Sequence, residues 1–461
     1  MDGISWITEQ GALLGRINDT VWQFAETGLQ EMRSAKFLAD VLEEHGFSIT
    51  RGVAGMETAF VARYGTNGPE IGLLAEYDAL PGLSQKATTA KETEEAQPDS
   101  GHGCGHNALA AAILGGAMGI KADIENGLVQ GRITVFGCPA EELLIGKGKM
   151  AAEGLFDSCD VLLSCHPNDI SYVWARTSTA VWSGTFTFYG KTAHAAIDPF
   201  NGRSALDAVE LMDVGANYLR EHVEPDVRLH YVITDGGQVP NVVPARASVW
   251  YTLRAGNQEQ VEKLRKRVEL LAQGAATMTE TQLEENVISG CASILRNRVL
   301  ERVLLEAMME TGAPEWTEKE FEFAEVLSGQ LAAGQREKAI EDYQILPMEE
   351  KRGLHTSIYK GFYREGERMA VSTDVGDASW QVPTGVFSFA STVIGSPGHS
   401  WFYTACCGSS IAHKGVSMAA KVFVYAARSL FKDTKLIEKA REEFYIQRQG
   451  KTYKNIWEAE K

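Results

Sequence analysis

Apolar and polar positions along this chain switch repeatedly between a helical and a strand-like period. Residues 20–46 carry Val21, Trp22, Phe24, Leu29, Phe37, Leu38, Val41 and Leu42 at helix-like spacing, ending at Gly46. TAFVARYG (58–65) and IGLLAEYDAL (71–80) then read as strands. The polar stretch 84–100 predicts a surface loop, and the small apolar residues of 107–120 predict a buried helix. RITVFGCPAEE (132–142) and DVLLSCHP (160–167) share one design, an apolar strand that ends in polar residues. Strands alternating with helices imply an α/β sheet, and polar residues at strand ends are where such sheets place their sites.

The pattern changes near residue 180. An alternating strand (178–190), a helix (205–219), two strands (230–237 and 247–255), a long helix (260–278) and a further segment (281–290) follow in turn. The order β-α-β-β-α-β predicts a ferredoxin-like module. The chain therefore divides into a first part (1–179), an inserted α+β module (180–290) and a second part (291–461) that resumes the first domain. Residues 315–352 are polar and helical without a clear apolar stripe, and 415–446 read as helical.

Composition narrows the class. At 461 residues, the chain is too long for one ordinary core. Its formal net charge of −17 argues against nucleic acid or an anionic membrane as the main partner. No window reaches the apolar length that a membrane span needs, and the N-terminus lacks a signal-peptide pattern, so the expected location is the cytoplasm. Seven scattered cysteines read as reduced thiols.

Chemistry concentrates in four short segments. GHGCGHN offers His102, Cys104 and His106; CPAEE offers Glu141 and Glu142; SCHP offers His166; SPGHS offers His399. Imidazole, thiolate and carboxylate together suit Zn²⁺ or Mn²⁺, the thiolate favouring zinc. Gly105 permits the tight loop that aims Cys104 and His106 at one centre. Glu141 and Glu142, read as neighbours on an extended segment, would point apart and take different tasks. A thiol hydrolase built on Cys104 and His106 is the competing chemistry, but their i, i+2 spacing suits a nucleophile and its base poorly.

In order along the chain, EYDALPGLSQ, GHGCGHN, FGCPAEE, CHP, GKTAHAA, GRSALDAV, PNVVPARA and STDVGDASW resemble motifs of the M20 metallopeptidases, in the aminoacylase and amidohydrolase branch. The resemblance spans about residues 18–425. It implies a mixed-sheet catalytic domain with the inserted module as a dimerisation or lid domain, and a centre of two divalent ions, Zn or Mn. Cys104, His106, Glu142, His166 and His399 match the ligands, Glu141 the general base, and Asp78 the buried acid that orients a ligand. His194 matches a histidine that reaches a neighbouring subunit's site, and Asn241 and Arg254 match residues that hold the substrate's carboxylate.

The chain departs from the wider family at Glu76, where many members carry His, and at Cys104, where many carry Asp, so one ligand set replaces another. The implied reaction cleaves the amide of an N-acyl amino acid. p-Aminobenzoyl-glutamate leads, with dipeptides and indole-acetyl conjugates as the alternative. The implied assembly is a homodimer, or a heteromer with a homologous subunit.

Overall fold

The computed structural model of the protein describes residues 1–95, 98–344, 350–451 and 453–455. The chain forms two compact units. The first comprises Met1–Arg176, Leu295–Glu367 and Ala378–Tyr453; the described residues of the second are Thr177–Ile294, Arg368–Asp377, Lys454 and Asn455.

A seven-stranded mixed sheet organises the first unit. Across it run Ser48–Arg51, Phe60–Tyr64, Arg132–Gly137, Glu70–Ala75, Val161–Asn168, Thr384–Ala390 and Tyr172–Val173. Arg132–Gly137, Glu70–Ala75, Val161–Asn168 and Thr384–Ala390 pair in parallel, while the outer pairings are antiparallel. Glu70–Ala75 and Thr384–Ala390 are buried along their whole length, as expected where helices cover both faces of a parallel sheet. At the carboxyl ends of three parallel strands, Glu76 follows Glu70–Ala75 directly, Glu141 lies four residues beyond Arg132–Gly137, and His166 sits within the last residues of Val161–Asn168.

Helix His106–Glu125 is buried almost all round. It is long and apolar enough by composition to cross a membrane, yet it serves here as the core helix of the unit. Its small residues permit close packing: a Cβ at Gly116 would meet Phe423 at 2.8 Å, on helix Ser410–Lys432.

The second unit is a four-stranded antiparallel sheet in the order Arg228–Asp235, Arg246–Ala255, Ala180–Tyr189, Gln282–Cys291. Helices Ala205–Leu219 and Gln258–Thr279 bury one of its faces, with Trp182, Phe186, Phe188, Val249, Tyr251 and Val268 at the core.

Boundaries differ from the sequence reading in several places. Segment 20–46 is two helices, Gly11–Phe24 and Met32–Glu44, because Ala25 turns left-handed (φ 44°) and stops the first. Asp433, non-helical at φ −122° and ψ 84°, likewise divides the C-terminal stretch into Ser410–Lys432 and Thr434–Arg448. Strands Ser48–Arg51 and Thr384–Ala390 lie outside the strands that the hydrophobic pattern predicts. Arg368–Asp377, placed by sequence in the second part, groups with the inserted unit. Met369 N–H donates to Thr177 O (2.8 Å) and Thr179 N–H to Val371 O (3.0 Å), which tie it there.

Candidate metal centre

The chemistry-bearing side chains of the catalytic unit sit at or near the ends of regular elements. Glu76 and Asp78 follow strand Glu70–Ala75. Cys104 and His106 flank Gly105, the residue before helix His106–Glu125. Gly105 has φ 80°, and a Cβ there would lie 2.9 Å from Cys407 Sγ and 3.0 Å from Pro167. Only glycine fits both the dihedral and the space. His399 has φ 54°, and its N–H donates to Gly103 O (2.9 Å), which ties its loop to the Cys104 loop.

Glu141 and Glu142 correct an expectation. They lie on a turn rather than an extended strand: Ala140 and Leu144 are both left-handed (φ 56° and 57°), and Leu144 N–H donates to Glu141 O (2.8 Å). The turn, and not the pleat of a strand, sends the two carboxylates to different places. Strained backbone of this kind gathers at functional sites.

Asp78 organises the centre. Its Oδ1 accepts from His106 Nδ1–H at 2.8 Å, and its Oδ2 accepts from the Glu142 N–H at 2.9 Å. Burial pushes the Asp78 carboxyl up, but the His106 imidazole overcomes it and holds the group below its ordinary range. Because a carboxylate can only accept, His106 Nδ1 carries a proton; burial works against a charged ring, but Cys104 and Asp78 beside it raise His106 well above the usual histidine range, so an ion at Nε2 would displace a second proton there. His166 follows the same rule, with Nδ1–H donated to Pro167 O at 2.7 Å. Burial lowers His166 to about 4 and keeps it neutral.

Three close groups of donor atoms result, each with its ligand atoms within 4.8 Å of one another: Cys104 with His106 and His166, Cys104 with Glu142 and His399, and Glu76 with His106 and Glu141. Cys104 Sγ is 3.4 Å from His166 Nε2, and Glu142 Oε2 is 3.5 Å from His399 Nε2. Ligands about 2.0–2.3 Å from one tetrahedral ion lie at about such separations. His106 Nε2 and Glu142 Oε1 are buried without a hydrogen-bond partner, and polar atoms buried this way fit a bound cation as their partner. Burial raises the Cys104 thiol to about 12, so a cation is also what would hold it as thiolate. The donor set therefore fits divalent ions, with Cys104 common to two positions.

The structure thus brings Cys104, His106, Glu142, His166 and His399 together, with Asp78 and Glu141 beside them. His194, Asn241 and Arg254 belong to the inserted unit. His194 and Asn241 are neighbours: His194 bridges to Val242, and Ala195 N–H donates to Asn241 O (3.0 Å). His194 Nδ1 accepts the N–H groups of Ala196 and Ile197 at 3.2 and 3.3 Å, which leaves the ring proton on Nε2. Arg254 donates to Ser372 Oγ at 2.9 Å.

His102 is buried and held neutral, pushed down to about 3 by burial, and its Nε2–H donates to Val21 O (3.0 Å). It packs the loop and is in none of the three groups. Two neighbours escaped sequence reasoning. The Trp174 ring lies 5.8 Å from the His166 ring. Lys147, wholly buried, sits 2.7 Å from Glu76 Oε1. A lysine within the small, apolar run LLIGKGKM was the available signal for the second.

Comparison with known proteins fits this geometry. Residues 178–277 match the peptidase dimerisation domain of the M20 family. Over 436 residues, 93% of this chain and 91% of the relative, the sequence is 37% identical to a subunit of the p-aminobenzoyl-glutamate hydrolase of Escherichia coli K12. The chain belongs to the M20 family. Like its relatives, this M20 chain is a hydrolase of amide bonds. It is also 27% identical to the Xaa-Arg dipeptidase of Mus musculus over 95% of this chain and 90% of that one. Its fold is that of a dinuclear metal binding M20 peptidase from Bacillus subtilis, with TM-score 0.56 and 16% identity over 92% of this chain and 99% of that chain.

Proposed function

We propose that this M20 chain uses two divalent ions to hydrolyse an N-acyl amino acid, p-aminobenzoyl-glutamate being the substrate, and releases p-aminobenzoate and glutamate. One observation carries the reading: Cys104 belongs at once to a group with His106 and His166 and to a group with Glu142 and His399. Such a pair of ions supplies a water acidified toward neutrality and a polarised amide carbonyl. The thiolate favours zinc over manganese.

The chain's own residues do the rest. Glu141, outside both Cys104 groups and 3.8 Å from His106 Nε2, takes the water proton as the C–O bond forms. It passes that proton to the amide nitrogen as the C–N bond breaks, so acid and amine leave. Asp78 keeps His106 Nε2 directed inward. His194 of a second copy offers its Nε2–H to the developing oxyanion, a contribution of about 3–4 kcal/mol where such a donor is typical. Asn241 and Arg254 hold the carboxylate of the amino-acid half, Arg254 with the planar fork that lysine lacks.

The substrate reading draws on the E. coli relative, which is named for p-aminobenzoyl-glutamate. The homodimer draws on the matched dimerisation domain and on its edge strand Arg228–Asp235, where Val232 and Ile233 are exposed. The dipeptidase relative supports the alternative substrate, a dipeptide. The test is turnover by the purified chain of a panel differing in both halves: p-aminobenzoyl-glutamate, indole-acetyl amino acids and dipeptides. Preference for p-aminobenzoyl-glutamate, abolished by a chelator and restored by Zn²⁺ or Mn²⁺, is the expected result. Activity that resists the chelator but dies on alkylation of Cys104 would replace the reading with a thiol mechanism, for which the Cys104–His166 contact is suited. Turnover only after a homologous subunit is added would make the working enzyme a heteromer.

A further inference from the structure

Lys147 has no part in the reaction just described, yet it is buried completely within the catalytic unit. It lies on helix Gly146–Ala152, just after the Glu141–Glu142 turn. Its ammonium binds Glu76 Oε1 at 2.7 Å, while Glu76 Oε2 stands 3.4 Å from His106 Nε2. Desolvating both members of such a pair is costly before their attraction is counted. The surroundings explain why the pair is held here. Cys104, Glu142, Glu141, Asp78 and Glu76 are five acidic groups gathered where two divalent cations would supply only four positive charges. Lys147 supplies the fifth.

Glu76 shares a close group with His106 and Glu141, whereas Cys104 and His166 group with His106 separately. A fourth ligand for the ion of the Cys104, His106 and His166 group would need its oxygen near all three. Lys147 binds Glu76 Oε1 at 2.7 Å, and Glu76 falls outside the Cys104, His106 and His166 group.

We propose that Lys147 and Glu76 form a positioning ion pair, in which Lys147 keeps Glu76 out of the coordination sphere and Glu76 cancels the lysine charge beside the ion at His106. The proposal rests on the two-ion reading and concerns the affinity and geometry of that ion, which the hydrolytic roles leave open.

The experiment measures Zn²⁺ affinity of ion-stripped full-length protein, by competition with a chromophoric chelator, and the visible spectrum of the Co²⁺-loaded form. Glu76→Gln strands a positive charge at the centre and weakens the affected ion about 10- to 100-fold, the usual range for groups just behind a ligand. The double variant Glu76→Gln/Lys147→Met removes both charges at nearly constant volume and returns affinity to within about threefold of wild type. Lys147→Met frees Glu76 to reach the ion and changes the Co²⁺ spectrum; Lys147→Arg keeps the wild-type spectrum.

Equal losses in Glu76→Gln and in the double variant would make Glu76 a direct ligand and overturn the proposal. Unchanged affinity and spectra in every variant, with only a lower melting temperature, would reduce the pair to a structural contact. Should a single variant fail to fold, the double variant and Lys147→Arg still decide. Failure of wild-type protein to take up two ions would instead strike the two-ion reading, and that arm is read first.

Discussion

Replacing Asp78 with asparagine tests how the centre is organised. The carboxylate accepts two hydrogen bonds, from His106 Nδ1–H at 2.8 Å and from the Glu142 N–H at 2.9 Å. An asparagine side chain has one acceptor oxygen, and its NH₂ would face a donor. Whichever way the amide turns, one buried donor loses its partner. Leaving one buried polar group unsatisfied costs about 1–3 kcal/mol. If the NH₂ faces His106, the ring also moves its proton to Nε2 and no longer offers a lone pair to an ion. Loss of such an orienting group lowers metal affinity by about 10–100-fold, equivalent to about 1.4–2.7 kcal/mol. The two routes to the magnitude agree. The assay is chelator competition for Zn²⁺ on Asp78→Asn and wild type, with a thermal melt of the ion-free forms as a check on folding. A folded variant that binds both ions as tightly as wild type would refute the reasoning, since His106 and Glu142 would then need no orienting.

Gly105→Ala forces a side chain into a left-handed dihedral and against Cys407 Sγ and Pro167; strain of about 1–2 kcal/mol plus about 1–3 for overpacking should appear as a lower midpoint in urea. Stripping the ions should lower the melting temperature. At a thousandfold excess of ion over its dissociation constant, the stabilisation lost is about 4 kcal/mol, and an unshifted melt would argue against resident ions. In the inserted unit, burial lifts Asp213 to about 6, against the pull of the Tyr251 hydroxyl at 2.5 Å and the Arg220 guanidinium, with Glu210 adding to the rise. A folded-state value above the unfolded one means that the neutral acid stabilises below about pH 4 and that this contribution fades as pH rises through about 6. Asp213→Asn should therefore gain about 1–3 kcal/mol on wild type between pH 4 and 8, read as the difference in urea midpoints, and parallel pH curves would contradict it. Mixing inactive His194→Ala and Glu141→Ala chains should restore part of the activity if His194 acts on a neighbouring copy; no recovery would confine its role to its own chain.

The sheet was legible where hydrophobic runs are long. RITVFG and VLLSC are continuous because both faces of Arg132–Gly137 and Val161–Asn168 are covered, and their polar ends announced Glu141 and His166. The break at Ala25 was hidden, since a left-handed alanine has no compositional signature. Thr384–Ala390, TGVFSFA, is too short and too mixed to separate from a buried loop by period alone, although its pairing with Val161–Asn168 extends the parallel core. The ligand residues were visible as residue types in glycine- and proline-flanked loops. Their mutual arrangement was not, because it depends on strand order and on left-handed turns at Ala140 and His399. Lys147 stayed unread for a further reason: its apolar surroundings in LLIGKGKM hinted at burial, but the group that neutralises it, Glu76, lies far away in sequence and is brought alongside only by the fold.

Counting metal atoms per chain is the most direct test, in wild type and in Cys104→Ala, by elemental analysis after dialysis against a weak chelator. With one thiolate shared between two groups of ligands, wild type should retain two ions per chain and the variant fewer than one. Two ions retained without Cys104, or none in wild type, would contradict a centre built around that sulfur.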